Sequence, residues 1–396
     1  MIPLHSPQDA LRPTAIALGS FDGLHQGHRR VIAAITAERP GEQGAARPVP
    51  TVLSFWPHPR EVLHGETRLR LDLPAEKLEL LEPLGIRQLV LVPFDAQLAA
   101  LSPEAFVERV LVGQLQARHV AVGDNFRFGA GRSGDGGDLA RLGARHGIAV
   151  TVLPMLHVGG ERVSSSRIRR ALASGDITAA QRLLERPYRF SGRVVRGRGL
   201  GRGLGWPTAN LQVDGRKFLP LEGVYAAWVW CHGPAVGAAA PTAGPPHPQR
   251  IRQEAGVPAA QPPGASGPGW LEARAEGAAA TSGTAAAESE GDAAPIPGQA
   301  LPAVMNLGPQ PTVDPTAPSA VEVHLLNRRL DLRDTCLTVE PVRLLRSQRR
   351  FASLEELSAR IAEDANEASL LLECSPPGGA APILAVGPGE GSQAVG

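Results

Sequence analysis

Two histidines, His25 and His28, end a glycine-rich segment, residues 19–28, that reads Gly-Ser-Phe-Asp-Gly-Leu-His-Gln-Gly-His. An imidazole beside a phosphate can donate a hydrogen bond to a pentacoordinate phosphorus or to a leaving pyrophosphate. The glycines let backbone N–H groups approach a polyanion, because no Cβ atom stands in the way. The whole segment predicts a nucleotide site, whereas His-x-Gly-His alone would favour a glycine-rich turn with two solvated histidines.

The flanking residues predict a strand before this segment and a helix after it. Residues 14–18 form a short apolar run, and residues 29–37 carry Val31, Ile32 and Ile35 at helical spacing. The segment therefore occupies a strand-to-helix turn. The helix N-terminus adds a partial positive charge and unpaired N–H donors, which favour phosphate binding. If the first helical turn begins at His25, the two histidines share one face.

Strands and helices alternate from residue 14 to about residue 184. Four further apolar runs show little polar alternation, as parallel strands buried on both faces do. They are residues 51–55, 89–92, 120–122 and 150–153. Helical patterns lie between them, one of which opens with Ser102, Pro103 and Glu104. The alternation predicts a doubly wound sheet that binds its ligand at the carboxyl ends of the strands.

The segment 19–28 resembles the signature of the nucleotidyltransferase superfamily, in the version found in bacterial bifunctional riboflavin kinase/FAD synthetases. Residues 163–169, Val-Ser-Ser-Ser-Arg-Ile-Arg, resemble the superfamily motif Ile-Ser-Ser-Thr-x-x-Arg. An isolated run of this kind would favour an ordinary serine-capped helix, but the pair predicts one ATP site. The resemblance implies that Arg169 clamps the β and γ phosphates. It implies ATP contacts from Gly19, Phe21, Asp22, Gly23, Ser164, Ser165, Ser166 and Arg169.

Two loops that follow predicted strands are candidates for the flavin side of this site. Residues 54–59, Ser-Phe-Trp-Pro-His-Pro, present an aromatic face and the imidazole of His58, although a rigid apolar turn is an equal alternative. Residues 123–129 resemble the family segment Gly-x-Asp-Phe-x-Phe-Gly, with Asn125 where an acid is usual. We expect His58, Asn125 and Phe128 to contact the flavin.

From Tyr188 onward, short alternating segments predict antiparallel β structure. Residues 205–210, Gly-Trp-Pro-Thr-Ala-Asn, resemble the riboflavin kinase signature Gly-Phe-Pro-Thr-Ala-Asn, whereas Pro-Thr alone would favour a turn before a strand. Gly205 would let the loop wrap a triphosphate. Thr208 and Asn210 would offer neutral oxygens to Mg²⁺, which shares its remaining sites with substrate phosphates. The resemblance implies ATP contacts from all three residues.

Glu322 lies in a Val-Glu-Val-His segment and points to the opposite side from the two valines. A carboxylate on a strand usually belongs to a solvated face. Here the segment resembles the Val-Glu-Val-His of the kinase family, which implies that Glu322 is the base for the riboflavin hydroxyl. Residues 345–351 resemble Leu-Arg-x-Glu-x-x-Phe, which implies a flavin contact for Arg346, with Gln348 in place of the glutamate.

Composition restricts the class of protein. A chain of 396 residues predicts two domains, and a net charge of +1 with 4% aromatic residues argues against a nucleic-acid partner or an anionic membrane. Cys231, Cys336 and Cys374 are odd in number and lack metal-ligand spacing. With no apolar signal core and no membrane-length run, we expect a soluble cytoplasmic protein. An oligomer is compatible with the sequence.

Large apolar side chains are scarce in two stretches. Residues 234–302 cannot bury enough surface to offset their ordering entropy, so we expect a disordered insertion in a hairpin loop. A binding motif around Trp270 is the minor alternative. The Pro/Gly/Ala-rich residues 375–396 predict a disordered tail. The predicted domains are therefore residues 1–186 and, apart from the insertion, 187–368.

The resemblance implies an α/β Rossmann-like adenylyltransferase domain followed by an antiparallel β-barrel kinase domain. ATP would phosphorylate riboflavin to FMN in the barrel, and FMN would attack a second ATP in the first domain to give FAD and pyrophosphate. One alternative is an FMN adenylyltransferase with a degenerate, flavin-sensing barrel. It is suggested by Gln348 and by Arg333 and Asp334, which stand where the family usually has Tyr-Gly. The other is a nucleic-acid-binding protein that uses the arginine-rich loop 196–202.

Overall fold

The N-terminal half of the chain forms a six-stranded sheet in which all neighbouring strands are parallel. The computed structural model describes residues 2–37, 47–66, 68–196, 205–234, 298–308, 321–328, 330–349 and 351–378. In chain order the strands are β1 (Leu4–His5), β2 (Thr14–Leu18), β3 (Val49–Trp56), β4 (Gln88–Pro93), β5 (Ala117–Gly123) and β6 (Ala149–Leu153). The five predicted apolar runs are confirmed as strands. Strand β1 was not predicted, because two residues are too few to show a pattern.

The spatial order of the sheet is β1-β4-β3-β2-β5-β6. The chain runs outward from β2 to β4 on one side and then returns to β5 and β6 on the other. This reversal opens a crevice at the carboxyl ends of β2 and β5, where doubly wound sheets bind ligands. All five residues of β2 are buried, with Ile16 and Leu18 packing on one face and Ala15 and Ala17 on the other. The predicted doubly wound sheet is confirmed.

Helices cover both faces of this sheet. They are α1 (Gln26–Thr36), α2 (Pro59–His64), α3 (Pro74–Leu81), α4 (Ala96–Ala99), α5 (Pro103–Phe106, continued by a π-helical segment Val107–Gln114), α6 (Gly136–Ala144), α7 (Ser165–Ala173) and α8 (Ile177–Leu184). Side chains cap most of them, including Ser102 at α5 and Asp135 at α6. A small hairpin, β7 (His157–Val158) and β8 (Glu161–Arg162), precedes α7. None of the described helices is long and apolar enough to cross a membrane.

The second half forms a closed six-stranded antiparallel barrel, called here the barrel domain, as the resemblance implies. Its strands are β9 (Phe190–Val195), β10 (Ala209–Val213), β11 (Gly223–Pro234), β12 (Ala300–Leu307), β13 (Val321–Leu325) and β14 (Thr335–Arg346), arranged β10-β13-β12-β11-β14-β9. Every second residue points inward, so Leu211, Tyr225 and Met305 fill the interior. The last helix, α9 (Leu354–Glu373), packs Ala368 and Leu372 against the outside of the barrel.

Three sequence-based boundaries need correction. The expected insertion 234–302 begins and ends inside strands, because β11 runs to Pro234 and Ala300 pairs with Trp230. Residues 235–297, including Trp270, lie outside the described residues. The tail expected from residue 375 instead begins on the barrel, where Ser375 O accepts a hydrogen bond from Trp228 Nε1 at 2.8 Å. Residues 379–396 lie outside the described part.

The two domains predicted to meet near residue 186 pack against each other. Leu71, Ile168 and Leu172 of the first domain belong to the same buried apolar cluster as Phe190 and Tyr225 of the barrel domain. The two domains therefore share a core, and each would expose apolar surface if it were separated from the other.

Candidate active sites

A cavity of about 390 Å³ opens at the carboxyl ends of β2, β3 and β5. Four sequence-predicted segments meet there although they are far apart in the chain. The predicted residues that line it are Gly19, Phe21, Asp22, His25, His28, His58, Asn125, Ser164, Ser165 and Ser166. The sheet brings them together because each follows a strand, or caps a helix, at the same edge.

The two histidines lie where the strand-to-helix turn enters α1. His25 is the N-cap of the helix, and its Nδ1 accepts a hydrogen bond from the backbone N–H of His28 at 3.3 Å. The two imidazole rings stack with centroids 3.6 Å apart. Both therefore share one face at the start of the helix, as the spacing predicts.

Both imidazoles are neutral at neutral pH. Burial, together with the nearby Arg29, lowers the pKa of His25 to about 4. Burial and the neighbouring His25 lower the pKa of His28 well below its ordinary value. His28 Nδ1 is buried and has no hydrogen-bond partner among the described residues. A neutral ring nitrogen of this kind can serve a ligand in the cavity without a prior change of charge.

The two phosphate motifs are joined directly. Ser165 Oγ donates a hydrogen bond to the backbone oxygen of Asp22 at 2.8 Å, across 143 positions of sequence. Asp22 Oδ2 forms an ion pair with Arg169, the predicted phosphate clamp. The Asp22 side chain is buried and Arg169 is mostly so, which gives both residues a structural role beside the ATP contacts that the resemblance implies.

Gly23 does not line the cavity. Its φ of +92° and a distance of only 2.8 Å between a hypothetical Cβ and Leu71 Cδ1 leave no room for a larger residue. The glycine is thus needed for a close approach of the turn to Leu71. Phe21, with 1% exposure, also packs beneath the turn.

The predicted flavin loops form another wall of the cavity. His58 caps α2, and burial together with Arg70 lowers the pKa of its imidazole to about 3. Asn125 is exposed and lines the cavity. Phe128 does not line it: this ring is buried beneath Phe126, at 5.6 Å between stacked centroids. Phe126 is therefore the aromatic residue at the wall, and the sequence reasoning missed it because both phenylalanines fit the same motif.

A second group of predicted residues lies on the outer face of the barrel. Asn210 of β10 is the register partner of Glu322 of β13, which is in turn the partner of Asn306 of β12. The row continues through Val224 of β11 to Arg346 of β14. Directly paired residues share a face of the sheet, so a carboxylate lies between two carboxamides. Asn306 was not predicted as a site residue. Only the register of β12 against β13 places it beside Glu322, and β12 follows directly after the expected insertion.

The loop before β10 is fixed against the same face. Gly205 has a φ of +82°, and the Trp206 ring contacts His324 edge-on, at 5.2 Å between centroids. His324 Nδ1 donates a hydrogen bond to Pro207 O at 2.8 Å. The exposed Thr208 directly precedes β10, so Thr208 and Asn210 lie at one end of the row that contains Glu322.

Gln348 completes the other side of the row. Its Nε2 donates hydrogen bonds to Asn306 Oδ1 at 2.5 Å and to Leu307 O at 3.1 Å. Arg346 forms a two-pronged ion pair with Asp364 of α9, at 2.9 and 2.7 Å, and lies over the Phe351 ring. Arg346 thus anchors the last helix in addition to its implied flavin contact.

The other departures from the family pattern lie at the surface. Arg333 and Asp334 form exposed ion pairs with Asp331 and Arg193 at the turn before β14. Residues 197–204, which include most of the arginine-rich loop 196–202, lie outside the described residues. Among the described residues, no group of three or more His, Cys, Asp or Glu side chains is placed to hold a metal ion.

The fold and its two sites define a two-domain transferase, with a nucleotidyltransferase sheet and a kinase barrel. The FAD synthetase family matches residues 7–167, and the riboflavin kinase family matches residues 184–372. The bifunctional riboflavin kinase/FMN adenylyltransferase of Pseudomonas fluorescens is 34% identical over 370 residues, which cover 93% of this chain and 96% of the relative. The protein of that name from Escherichia coli K12 is 32% identical, over 88% of this chain and 90% of its own.

The chain belongs to the family of bifunctional riboflavin kinase/FMN adenylyltransferases. Among solved structures, one titled as a macrolide-efflux protein from Streptococcus pneumoniae superimposes with a TM-score of 0.66 at 21% identity. The superposition covers 93% of this chain and 98% of the solved chain, so the two proteins share the fold. Matches to both families favour two activities over an adenylyltransferase with a degenerate barrel.

Proposed function

We propose that the cavity of the first domain carries out adenylyl transfer and that the outer row of the barrel carries out riboflavin phosphorylation. The chain is a bifunctional enzyme of this family, with riboflavin, FMN and ATP as substrates. One observation supports the assignment of the two activities to separate domains. The segments around His28 and Ser165 meet in one cavity with His58 and Asn125, whereas Glu322 lies on a different domain.

In the cavity, a phosphate oxygen of FMN attacks the α-phosphorus of ATP, the bond to the β-phosphate breaks, and pyrophosphate leaves. The N–H groups at the start of α1 and α7 bind the phosphates. His28 donates a hydrogen bond to the charge that develops on the transferred or leaving phosphate, and its neutral ring suits donation from one nitrogen. His58 and Asn125, with the Phe126 ring, hold the flavin.

On the barrel, the primary hydroxyl of riboflavin attacks the γ-phosphorus of ATP and ADP leaves. Glu322 accepts the hydroxyl proton as the new bond forms. The carboxamides of Asn210 and Asn306, its register partners on the adjacent strands, flank Glu322 on the same face. Arg346 and the segment after it hold the flavin.

Thr208 and Asn210 are proposed to hold Mg²⁺ together with the ATP phosphates. A hydroxyl and a carboxamide oxygen are hard, neutral donors that suit this ion when phosphates supply the charge. Bound there, Mg²⁺ would neutralise charge on the β and γ phosphates. We also propose a cytoplasmic location, which agrees with three cysteines that form no disulfide.

The test is to incubate the purified protein with riboflavin, ATP and Mg²⁺ and to follow FMN and FAD over time. We expect FMN to rise first and FAD to follow. FAD formation from supplied FMN, without FMN formation from riboflavin, would instead indicate a barrel without kinase activity.

A further inference from the structure

The segment of residues 69–72, called here the bridging segment, connects the adenylyltransferase cavity to the barrel domain. On the cavity side, the backbone N–H groups of Leu71 and Asp72 donate to Asp22 Oδ1 at 2.8 and 3.3 Å. Leu69 O accepts a hydrogen bond from Arg169 at 3.1 Å. The bridging segment therefore contacts a residue from each of the two phosphate motifs.

The other side of the bridging segment is bonded to residues of the barrel domain. Arg70 N donates to Arg216 O at 2.7 Å, and Phe218 N donates to Arg70 O at 2.8 Å. Together they form a short parallel bridge between Arg70 and Lys217. The bridging segment is thus held like a strand between two domains.

Lys217 is a buried residue whose side chain makes two short contacts across this boundary. Its ammonium group donates to Leu71 O at 2.7 Å and to Glu76 Oε2 at 2.6 Å, and the residue is 1% exposed. Tyr188 OH donates to Phe218 O at 2.5 Å and also lies 3.3 Å from the Leu71 oxygen. The Leu71 peptide therefore has its N–H bonded to Asp22 and its oxygen bonded to the barrel domain.

We infer that Lys217 of the barrel domain is a positioning residue for adenylyl transfer in the other domain. Its ammonium group fixes Leu71, Leu71 fixes the Asp22 carboxylate, and Asp22 fixes both Arg169 and the turn that carries the histidines. Lys217 is 141 positions from its partner Glu76, and neither phosphate motif contains it. Hydrogen bonds to a charged donor are among the stronger ones, and a buried carbonyl left without its donor relaxes toward another partner.

The matched variants are Lys217→Met and Leu344→Ala. Methionine keeps a long apolar stem without a donor, and Leu344 lies on the same domain boundary, beside Gly175, away from the bridging segment. We expect Lys217→Met to lower kcat/KM for ATP in FMN adenylylation by about tenfold or more, and to leave riboflavin phosphorylation by the same chain within about twofold. Leu344→Ala should lower the melting temperature while keeping the parental ratio of the two activities.

Tyr188→Phe is a second test, because it removes a hydroxyl that is bonded to Phe218 O at 2.5 Å and only approaches Leu71 O, at 3.3 Å, while the Lys217 donor stays in place. Its loss of adenylylation should be selective and smaller than that of Lys217→Met. If Lys217→Met lowers both activities equally, or neither, Lys217 is a structural residue of the interface and the inference is wrong. The inference rests on adenylyl transfer in the cavity: a parent protein that forms no FAD from FMN would overturn that function and the inference together.

Discussion

The two sites differ in how the fold builds them. The proposed adenylyltransferase site is a cavity, assembled from loops that follow several parallel strands and from two helix N-termini. The proposed kinase site is a row of side chains across the outside of a barrel, set by the register of Asn210, Glu322 and Asn306. In the cavity, burial lowers the pKa of the histidines, whereas in the row the register of neighbouring strands places the carboxylate. Substitutions should therefore separate the two activities.

The largest expected effect is that of Glu322→Gln. Glutamine keeps the size and the hydrogen-bonding reach of the side chain but removes the basic oxygen. We expect riboflavin phosphorylation to fall by roughly 10²–10⁴-fold, the usual range for a general base, with FAD formation from added FMN unchanged. Glu373→Gln, the same change at the exposed end of α9, is the control. Parental kinase rates in Glu322→Gln would show that another group accepts the proton.

His28→Ala should have the opposite selectivity: FMN adenylylation should fall and riboflavin phosphorylation should not. Loss of one hydrogen bond made in the transition state costs about 10²–10³-fold in rate, and the kinase should retain its activity because the histidine belongs to the cavity. His28→Asn, which keeps a neutral donor, should recover part of the loss. His146→Ala, at an exposed histidine of the same domain, is the control. Unchanged conversion of FMN to FAD in His28→Ala would remove this residue from the mechanism.

The neutral histidines also predict how stability depends on pH. His25 titrates near 4 in the folded protein and near 6.5 when unfolded, so below pH 6.5 the unfolded state binds more protons. The stability that this group contributes is fully present above that pH and is lost as pH falls toward 4. Asparagine at position 25 can still cap α1 but cannot titrate.

Between pH 6.5 and 5, the free energy of unfolding of the parent should therefore fall by about 1–2 kcal/mol more than that of His25→Asn. Urea unfolding at a series of pH values measures the difference. Parallel curves for the two proteins would mean that the pKa of His25 is the same in the folded and unfolded states.

The smallest effect is expected from removal of residues 236–297. Trp230 and Ala300 are register partners, so a short turn can join β11 to β12. Few large apolar side chains are lost, and loop closure depends only weakly on length. Both activities should stay within about twofold of the parent. A fall of more than roughly 10 °C in melting temperature, measured by calorimetry, would show that the deleted residues pack against the fold.

Local patterns determined much of this protein in advance. Apolar runs located five strands of the sheet, and serine caps located α5 and α7. The motifs around His28, Ser165, Thr208 and Glu322 predicted both proposed sites, because each motif combines its chemistry with its own strand, turn or cap. These features depend on neighbours in sequence, so the sequence contains the information that predicts them.

Only the tertiary structure decided which residues from distant segments meet. Asn306 lies beside Glu322 through strand register, and Gln348, which follows β14, contacts Asn306. Phe126, not Phe128, lines the cavity because the backbone turns one ring inward. Lys217 contacts the bridging segment across a core that both domains share. Contacts of this kind depend on how faces pack in three dimensions, and no periodicity within one segment specifies them.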